Sequence, residues 1–475
     1  MKDPRQMERQ GKYKYLAKNI GLLTLSSFAT KLLSFFLVPL YTSILTTADY
    51  GTYDLFNTTV GVLLPILTLN VQEGVIRFAM DKDYDREAIV TVGMRHLLIG
   101  SVIIAAALGI NGIFPFSPVL KTYAIFFFLM FISQAISGIV TFYIRGVERI
   151  GDLSISSVVA SAVTIGCNIL FLIGFRWGLV GYFLANIIGP LVQCIWLAAR
   201  AHMFRDTHLT RKYKKESREL LDYSRPLIAN SIAWWINNAS DRYVITFFCG
   251  VAANGVYSVA SKIPSILNVF QTIFNQAWSL SAVKDYDPED KSGFFANTYR
   301  AYNCMMTIVC SAIIVSDKIL AKFLYANDFY VAWRYVPWLT MAILFGAMSG
   351  YIGGFFTAVK DSKVYATSTA AGAITNIILN LIFTPIFGAI GAAVATTICY
   401  VEVFVVRLIQ SRKYIKLRVN FFRDIISYIL LAVQSIVLLL VDAPLLYGIL
   451  GGLFMVICLM YSKDIGLVVR KVLHR

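Results

Sequence analysis

Apolar runs of about 20 residues, enough to cross roughly 30 Å of hydrocarbon at 1.5 Å per residue, recur along almost the whole chain. They predict fourteen helical spans, at 19–41, 54–76, 88–110, 119–143, 153–175, 178–199, 226–248, 253–278, 298–317, 335–357, 364–384, 387–408, 422–441 and 444–461. The longest polar connection expected on the cytoplasmic side, 200–225, follows the sixth span and carries RKYKKESR at 211–218. It is the natural hinge between an N-terminal lobe (1–199) and a C-terminal lobe (226–408), leaving two more spans and a tail at 409–475. The expected class is an all-α polytopic membrane protein.

The lobes read as copies of one unit. ADYGTYDL (48–55) and AANGVYSV (252–259) both join the first two spans of their lobe. NILFLIGFRWGLVGYFLA (168–185) and NLIFTPIFGAIGAAVA (380–395) share an Asn followed, after a short break, by Gly-x-x-Gly. Six spans per lobe give the copies the same orientation. Parallel repeats of this kind build transporters whose substrate site lies near mid-membrane between the halves.

Three spans depart from uniform apolarity. The first carries Thr24, Ser27, Lys31 and Ser34, and the seventh Asn230, Trp234, Asn237, Asn238, Asp241 and Arg242. The eighth carries Ser258, Ser261, Lys262, Ser265, Asn268, Thr272, Asn275 and Gln276. Steps of three and four place each set on one helix face. Arg95 and Arg225 add bases near the cytoplasmic mouth, and Asp241, Glu402 and Glu73 are the embedded acids. A charge facing lipid at mid-bilayer costs about 2.5–3.5 kcal/mol on insertion scales, so these residues are expected to face protein or water. Polar stripes through the depth of three helices predict a wet central cavity. Its excess of bases suits an anionic guest, Arg binding phosphate oxygens bidentately and Lys as a point charge.

Individual roles remain open at this level. Asp241 and Arg242 are neighbours and project about 100° apart on a helix. Asp241 is therefore expected to pair with a base on another helix, Lys31 or Lys262, while Arg242 points to the cavity. Glu73 and Arg77 are expected as a helix-end pair, and Glu402 as either a proton carrier or a buried neutral acid. Asp241, Glu73 and Glu402 are the candidates for coupling to a proton or sodium gradient. Trp234, Trp235, Tyr257 and Trp278 offer ring faces to a sugar or else pack. Pro39, Pro65 and Pro264 sit inside spans as kinks or hinges.

Composition narrows the class further. With 57% hydrophobic and only 15% charged residues and a mean hydropathy of +0.66, the chain is far from a soluble domain. The net charge of +16 does not call for nucleic acid. Roughly three quarters of the Lys and Arg residues fall in one alternate set of loops and tails, the positive-inside pattern, which puts both termini in the cytoplasm. The basic run at 211–218 marks that orientation and could also touch anionic lipid. Seven scattered cysteines form no CxxC or Cys/His spacing, so neither a disulfide framework nor a metal site is expected. No cleaved signal peptide, P-loop, catalytic constellation or cofactor motif is read.

The stretch PLIANSIAWWINNASDRYVITFFCGVAANGVYSVASKIPSILNVFQTIFNQAWSLSA (226–282) resembles the middle of Wzx-type polysaccharide flippases. Those belong to the superfamily that also holds lipid II flippases and MATE drug exporters (the MOP exporters). PLYTSILTTADYGTYDL (39–55) and the region around 380–396 are similar to the family too. The resemblance implies two lobes in a bacterial cytoplasmic membrane that move a polyprenyl-diphosphate-linked oligosaccharide to the outer leaflet by alternating access. It implies Lys31, Arg242 and Lys262 as cavity cations, and polymerases and glycosyltransferases of the same pathway as partners. A lone Lys31 in the first helix favours the polysaccharide branch over the lipid II branch. A drug antiporter would want an acidic cavity, and a membrane polymerase a large outer loop.

Overall fold

The computed structural model describes residue 28 and residues 35–81, 84–203, 207–208, 213–284, 286–359, 361–442 and 444–466, except for the side chains of 237, 238, 276, 277, 279, 280, 283, 284 and 362. Among the described residues there is helix and no strand. Hydrocarbon enforces this, because a helix satisfies its backbone polar groups within one segment.

Helix α1 (Val38–Ile44) closes the first predicted span, most of which lies outside the described residues. Helix α2 (Thr47–Leu67) starts on a capping box: Asp49 N donates to Thr46 Oγ1 at 3.1 Å and Thr46 N donates to Asp49 Oδ2 at 3.2 Å. The expected span at 54–76, with Pro65 as its kink or hinge, is broken four residues beyond that proline. Leu69 and Asn70 adopt left-handed backbone (φ 53° and 52°), and α3 (Val71–Ala79) leaves at 65° to α2. Pro65 weakens the last turn of α2, and the left-handed conformation disfavoured for Leu persists because neighbours hold it. Ser224 Oγ donates to Leu69 O at 3.0 Å, and Asn70 Nδ2 to Ser231 Oγ at 3.2 Å.

The chain continues through α4 (Arg86–Ile113), α5 (Pro118–Thr122), α6 (Ala124–Gly146), α7 (Ile150–Asn168) with a wide π-type turn to Gly174, and α8 (Gly178–Arg200). Then come α9 (Lys214–Ser224), α10 (Leu227–Cys249), α11 (Val251–Ala260), α12 (Ser265–Lys284) and α13 (Phe294–Leu324). After a 3₁₀ segment, Asn327–Arg334, follow α14 (Val336–Ala358), α15 (Ser362–Phe387), α16 (Ala389–Ser411), α17 (Phe421–Leu440) and α18 (Leu445–Met460). Among the described residues nine of these are long and apolar enough to cross a membrane, or ten if α2 and α3 form one bent span. The predicted eighth span is also broken, between α11 and α12 at residues 261–264, where Pro264 cannot continue the hydrogen-bond ladder.

The chain divides inside α10, between Ala239 and Ser240, into two compact units. Among its described residues the first has two apolar cores. One gathers Phe56, Phe127, Phe131 and Phe183; the other Val75, Ile89, Ile139, Leu197 and Leu220. Leu220 belongs to α9, so the second half of the linker is a helix docked on the first unit. Tyr84 Oη donates to Glu219 at 2.8 Å, and Tyr213 Oη donates to Glu87. Burial, followed by the Glu219 carboxylate, pushes the Tyr84 phenol above its ordinary range, so the bond survives well past neutral pH.

In the second unit Trp278 is fully packed. Its indole donates to Tyr351 O at 2.8 Å, and the two rings stack at 4.1 Å. That settles its open role as packing rather than sugar contact. Arg407 on α16 is 4% exposed and joins three helices, donating to Ser349 O (3.0 Å), Ser368 Oγ (3.0 Å) and Thr369 Oγ1 (2.8 Å) over the Tyr365 ring.

The two lobes repeat one local device. Gly178 at the start of α8 and Gly388 before α16 both have positive φ (53° and 67°), and both helices run 23 residues. Three residues on, a Cβ at Gly181 would meet Phe171 Cβ at 2.8 Å, and one at Gly391 would strike the Phe383 carbonyl. Asn168 Nδ2 donates to Thr164 O and Asn380 Nδ2 to Asn376 O, the same backward step. The first glycine supplies a backbone angle and the second lets two helices meet. Gly391→Ala should therefore destabilise the second unit by about 1–3 kcal/mol, read as an earlier thermal transition of detergent-purified protein. An unchanged transition would show that the α15–α16 approach is slack.

Candidate functional site: the membrane-embedded charges

Lys31, Thr24, Ser27 and Ser34 lie outside the described residues, as do the side chains of Asn237 and Asn238. The remaining candidates divide between the two units.

In the second unit the centre is the end of α10 against α11. Asp241 is 8% exposed and accepts a short hydrogen bond, 2.5 Å, from Tyr257 Oη on α11. Its other oxygen accepts from Arg242 N at 2.9 Å and lies 3.9 Å from Arg242 Nη1. Neighbours on a helix were expected to project apart. They meet because the long Arg242 side chain folds back while the short Asp241 does not reach far. The Arg242 side chain keeps 18% of its surface open. Tyr257 is 2% exposed and presents no ring face to a sugar; its hydroxyl is what bears on the charges.

Lys262 sits at the break between α11 and α12, half-buried. Among the described residues no carboxylate lies within 4 Å of it. Ser261 and Ser265 donate to backbone carbonyls, Ser258 O at 2.6 Å and Lys262 O at 2.5 Å. The amides of Lys262 and Ile266, which would serve those carbonyls in a continuous helix, turn instead to Val259 O and Ile263 O, so both hydroxyls are structural as well as polar. Asn268 is exposed on the following helix, and Thr272 Oγ1 donates to its carbonyl at 2.8 Å. The expected single stripe along the eighth span is thus two shorter stripes, on α11 and α12, separated by a turn. Glu402 on α16 is half-buried.

In the first unit Arg95 and Arg225 do come together. They line one pocket of about 290 Å³ with Lys214, Ser217, Arg218, Leu221 and Asp222. His96, the neighbour of Arg95, is buried with Nδ1 at 2.9 Å from Val92 O. Among the described residues Glu73 and Arg77 form no ion pair within 4 Å. The base whose charge bears on Glu73 is Arg145 on α6 instead. The 65° break at the start of α3 turns the face of that helix toward α6, which the spacing of four could not show. Trp234 is half exposed, whereas Trp235 donates from Nε1 to Thr58 O at 2.8 Å and braces α10 against α2.

Sequence reading missed Arg407 although it lies inside the predicted 387–408 span; Ser368 and Thr369 were the available signal. It also missed Lys214 and Arg218 as pocket residues, because only docking of α9 brings them to Arg95. Among the described residues no group of three His, Cys, Asp or Glu side chains could hold a metal.

This geometry has relatives. A "Probable low-salt glycan biosynthesis flippase Agl15" of Haloferax volcanii is 22% identical over 283 residues, 58% of this chain and 58% of its own length. The chain thus spans under two thirds of that relative. Among solved structures, "Lipid II flippase MurJ, inward closed conformation" superposes with a TM-score of 0.69 at 14% identity, covering 96% of this chain and 100% of that one. A MATE family multidrug resistance transporter of the MOP superfamily, inward-facing, gives 0.65 at 14% identity over 81% and 94% of the two chains. At such identities the likeness shows the fold, that of a helical membrane transporter. The family described as "Polysaccharide biosynthesis protein" matches residues 16–279, more than half of the sequence and including the motif-bearing stretch of α10 to α12, and the chain belongs to that family.

Proposed function

We propose that the chain is a flippase. It moves a polyprenyl-diphosphate-linked oligosaccharide repeat unit from the cytoplasmic to the outer leaflet of a cytoplasmic membrane, for surface polysaccharide assembly. The two repeated lobes, 1–199 and 226–408, carry the transport, and both termini lie in the cytoplasm. One observation carries the reading. Lys262, in the expected eighth span, is half-buried at the break between α11 and α12, with no carboxylate within 4 Å among the described residues. A positive charge held this way in low dielectric attracts a phosphate oxygen more strongly than it would in water.

Arg95 and Arg225 meet the diphosphate first, at the cytoplasmic mouth. Lys31, Lys262 and Arg242 hold it further along, Arg242 by its forked donors. Tyr257 keeps Asp241 engaged from the side away from Arg242, so the acid does not fully neutralise the guanidinium. Trp234 offers a ring face to the sugars, and the polyprenyl tail stays in lipid. Asp241 is the acid through which a coupling ion would act on the cationic path, because among the described residues it, and neither Glu73 nor Glu402, lies within 4 Å of a candidate base. The Haloferax volcanii relative's name points to the same class of chemistry, glycan biosynthesis by flipping.

Deleting the gene should remove surface polysaccharide and leave lipid-linked oligosaccharide accumulated on the cytoplasmic leaflet. This is measured by surface staining and by glycosidase accessibility in right-side-out and inverted vesicles. Accumulation of free monomer units on the outer leaflet would point to a polymerase instead. Increased sensitivity to cationic dyes with intact polysaccharide would point to a drug exporter.

A further inference from the structure

The pocket shared by Arg95 and Arg225 owes the other two of its four bases, Lys214 and Arg218, to α9, a helix of the linker. Lys214, Arg218 and Arg225 recur at steps of four and seven, which places them along one face. Arg95 reaches the same space from α4. Four bases therefore line about 290 Å³ against one acid, Asp222. Asp222 approaches Arg218 at 3.7 Å, but both side chains are largely exposed, and such a pair is worth little. Ser217 adds a hydroxyl donor and Leu221 an apolar floor.

The opposite face of α9 holds the pocket rigid. Leu220 packs so closely under Gly74 that a Cβ there would lie 3.0 Å from the Leu220 carbonyl. Ser224 is bonded to Leu69 and Glu219 to Tyr84, so the site belongs wholly to the first unit. Three guanidinium groups and an ammonium around a small volume match phosphoryl oxygens, which take forked donors. The face is the one that Lys and Arg asymmetry assigns to the cytoplasm, where phosphorylated lipids present their head groups.

We propose that this pocket is a phosphate-binding site, built jointly by the linker helix and α4, that receives a phosphoryl or diphosphoryl lipid head group. Only the assignment of the head group to the transported lipid rests on the flippase reading; the phosphate chemistry does not.

The test uses the full-length chain in zwitterionic nanodiscs, titrated with inorganic diphosphate by calorimetry. In an Arg242→Ala/Lys262→Ala background, one salt-sensitive binding event should remain. Adding Lys214→Gln and Arg218→Gln, both exposed and outside the packing of α9, should weaken it at least about tenfold. Loss of all diphosphate binding in the first background, or affinity within about twofold after the second pair, would overturn the site. Repeating the titration in nanodiscs containing phosphatidylglycerol separates the sources. Competition assigns the pocket to bulk anionic lipid head groups, and its absence assigns it to the diphosphate of the carried lipid. A chain that binds diphosphate here yet moves no lipid would sink the flippase reading and leave the pocket standing.

Discussion

Arg242→Ala is expected to cut export of the lipid-linked oligosaccharide roughly hundredfold while leaving the amount of protein in the membrane unchanged. The magnitude follows from removing about 3 kcal/mol of forked, charge-assisted hydrogen bonding to phosphate in a poorly hydrated setting. Folding should survive because Asp241 keeps the Tyr257 hydroxyl and the backbone amide of residue 242. Arg242→Lys should recover part of the loss, since it restores a point charge without the fork. Surface polysaccharide measured against immunoblotted membrane protein checks both. Export within twofold of wild type in Arg242→Ala, at equal protein, would remove Arg242 from the cationic path.

Arg407→Met should have the largest effect on stability rather than transport. The substitution keeps an apolar stem but strips a buried guanidinium that satisfies Ser349 O, Ser368 Oγ and Thr369 Oγ1 and lies 4.1 Å over the Tyr365 ring. Leaving such acceptors unpaired costs about 3–5 kcal/mol in total, which corresponds to a thermal transition lower by roughly 5–10 °C. Arg407→Lys keeps the charge but cannot reach three acceptors on two helices with one planar group, so it should fall between the two. Fluorescence-detected size exclusion after heating reads the shift. An unaltered transition in Arg407→Met would mean that α14, α15 and α16 are held by apolar packing alone.

The helices were legible in the sequence because lipid leaves few alternatives: apolar runs at 335–357 and 422–441 return as α14 and α17 within a residue or so at each end. The breaks were not. A hydropathy window averages over the left-handed pair Leu69–Asn70, and the bonds of Leu69 to Ser224 and of Asn70 to Ser231, more than 150 residues away, help to keep the chain there. Proline signalled the second break, at Pro264, but not that it would divide the polar stripe into two.

Charge placement was partly legible for a similar reason. Periodicity gathered Asp241, Arg242 and Lys262 as embedded groups, yet the helical projection separated Asp241 from Arg242, whose flexible stem brings its Nη1 to 3.9 Å. The partner actually engaged, Tyr257, is open in the sequence between a ring face for a sugar and packing, since nothing there shows that its hydroxyl meets Asp241. Arg95 and Arg225 stand out by depth and do share a pocket; Lys214 and Arg218 read as orientation markers or contacts to anionic lipid, because docking through Leu220 is a tertiary event.

The central claim is that positive side chains within the membrane recognise the diphosphate of a lipid carrier. The most direct measurement reconstitutes the purified chain in liposomes and follows leaflet exchange of two labelled polyprenyl lipids carrying the same oligosaccharide, one joined by diphosphate and one by a neutral glycosidic bond. Rapid exchange of the diphosphate-linked lipid alone, abolished by Arg242→Ala with Lys262→Ala, is the expected result. Equal exchange of both lipids, or of neither, would contradict the account.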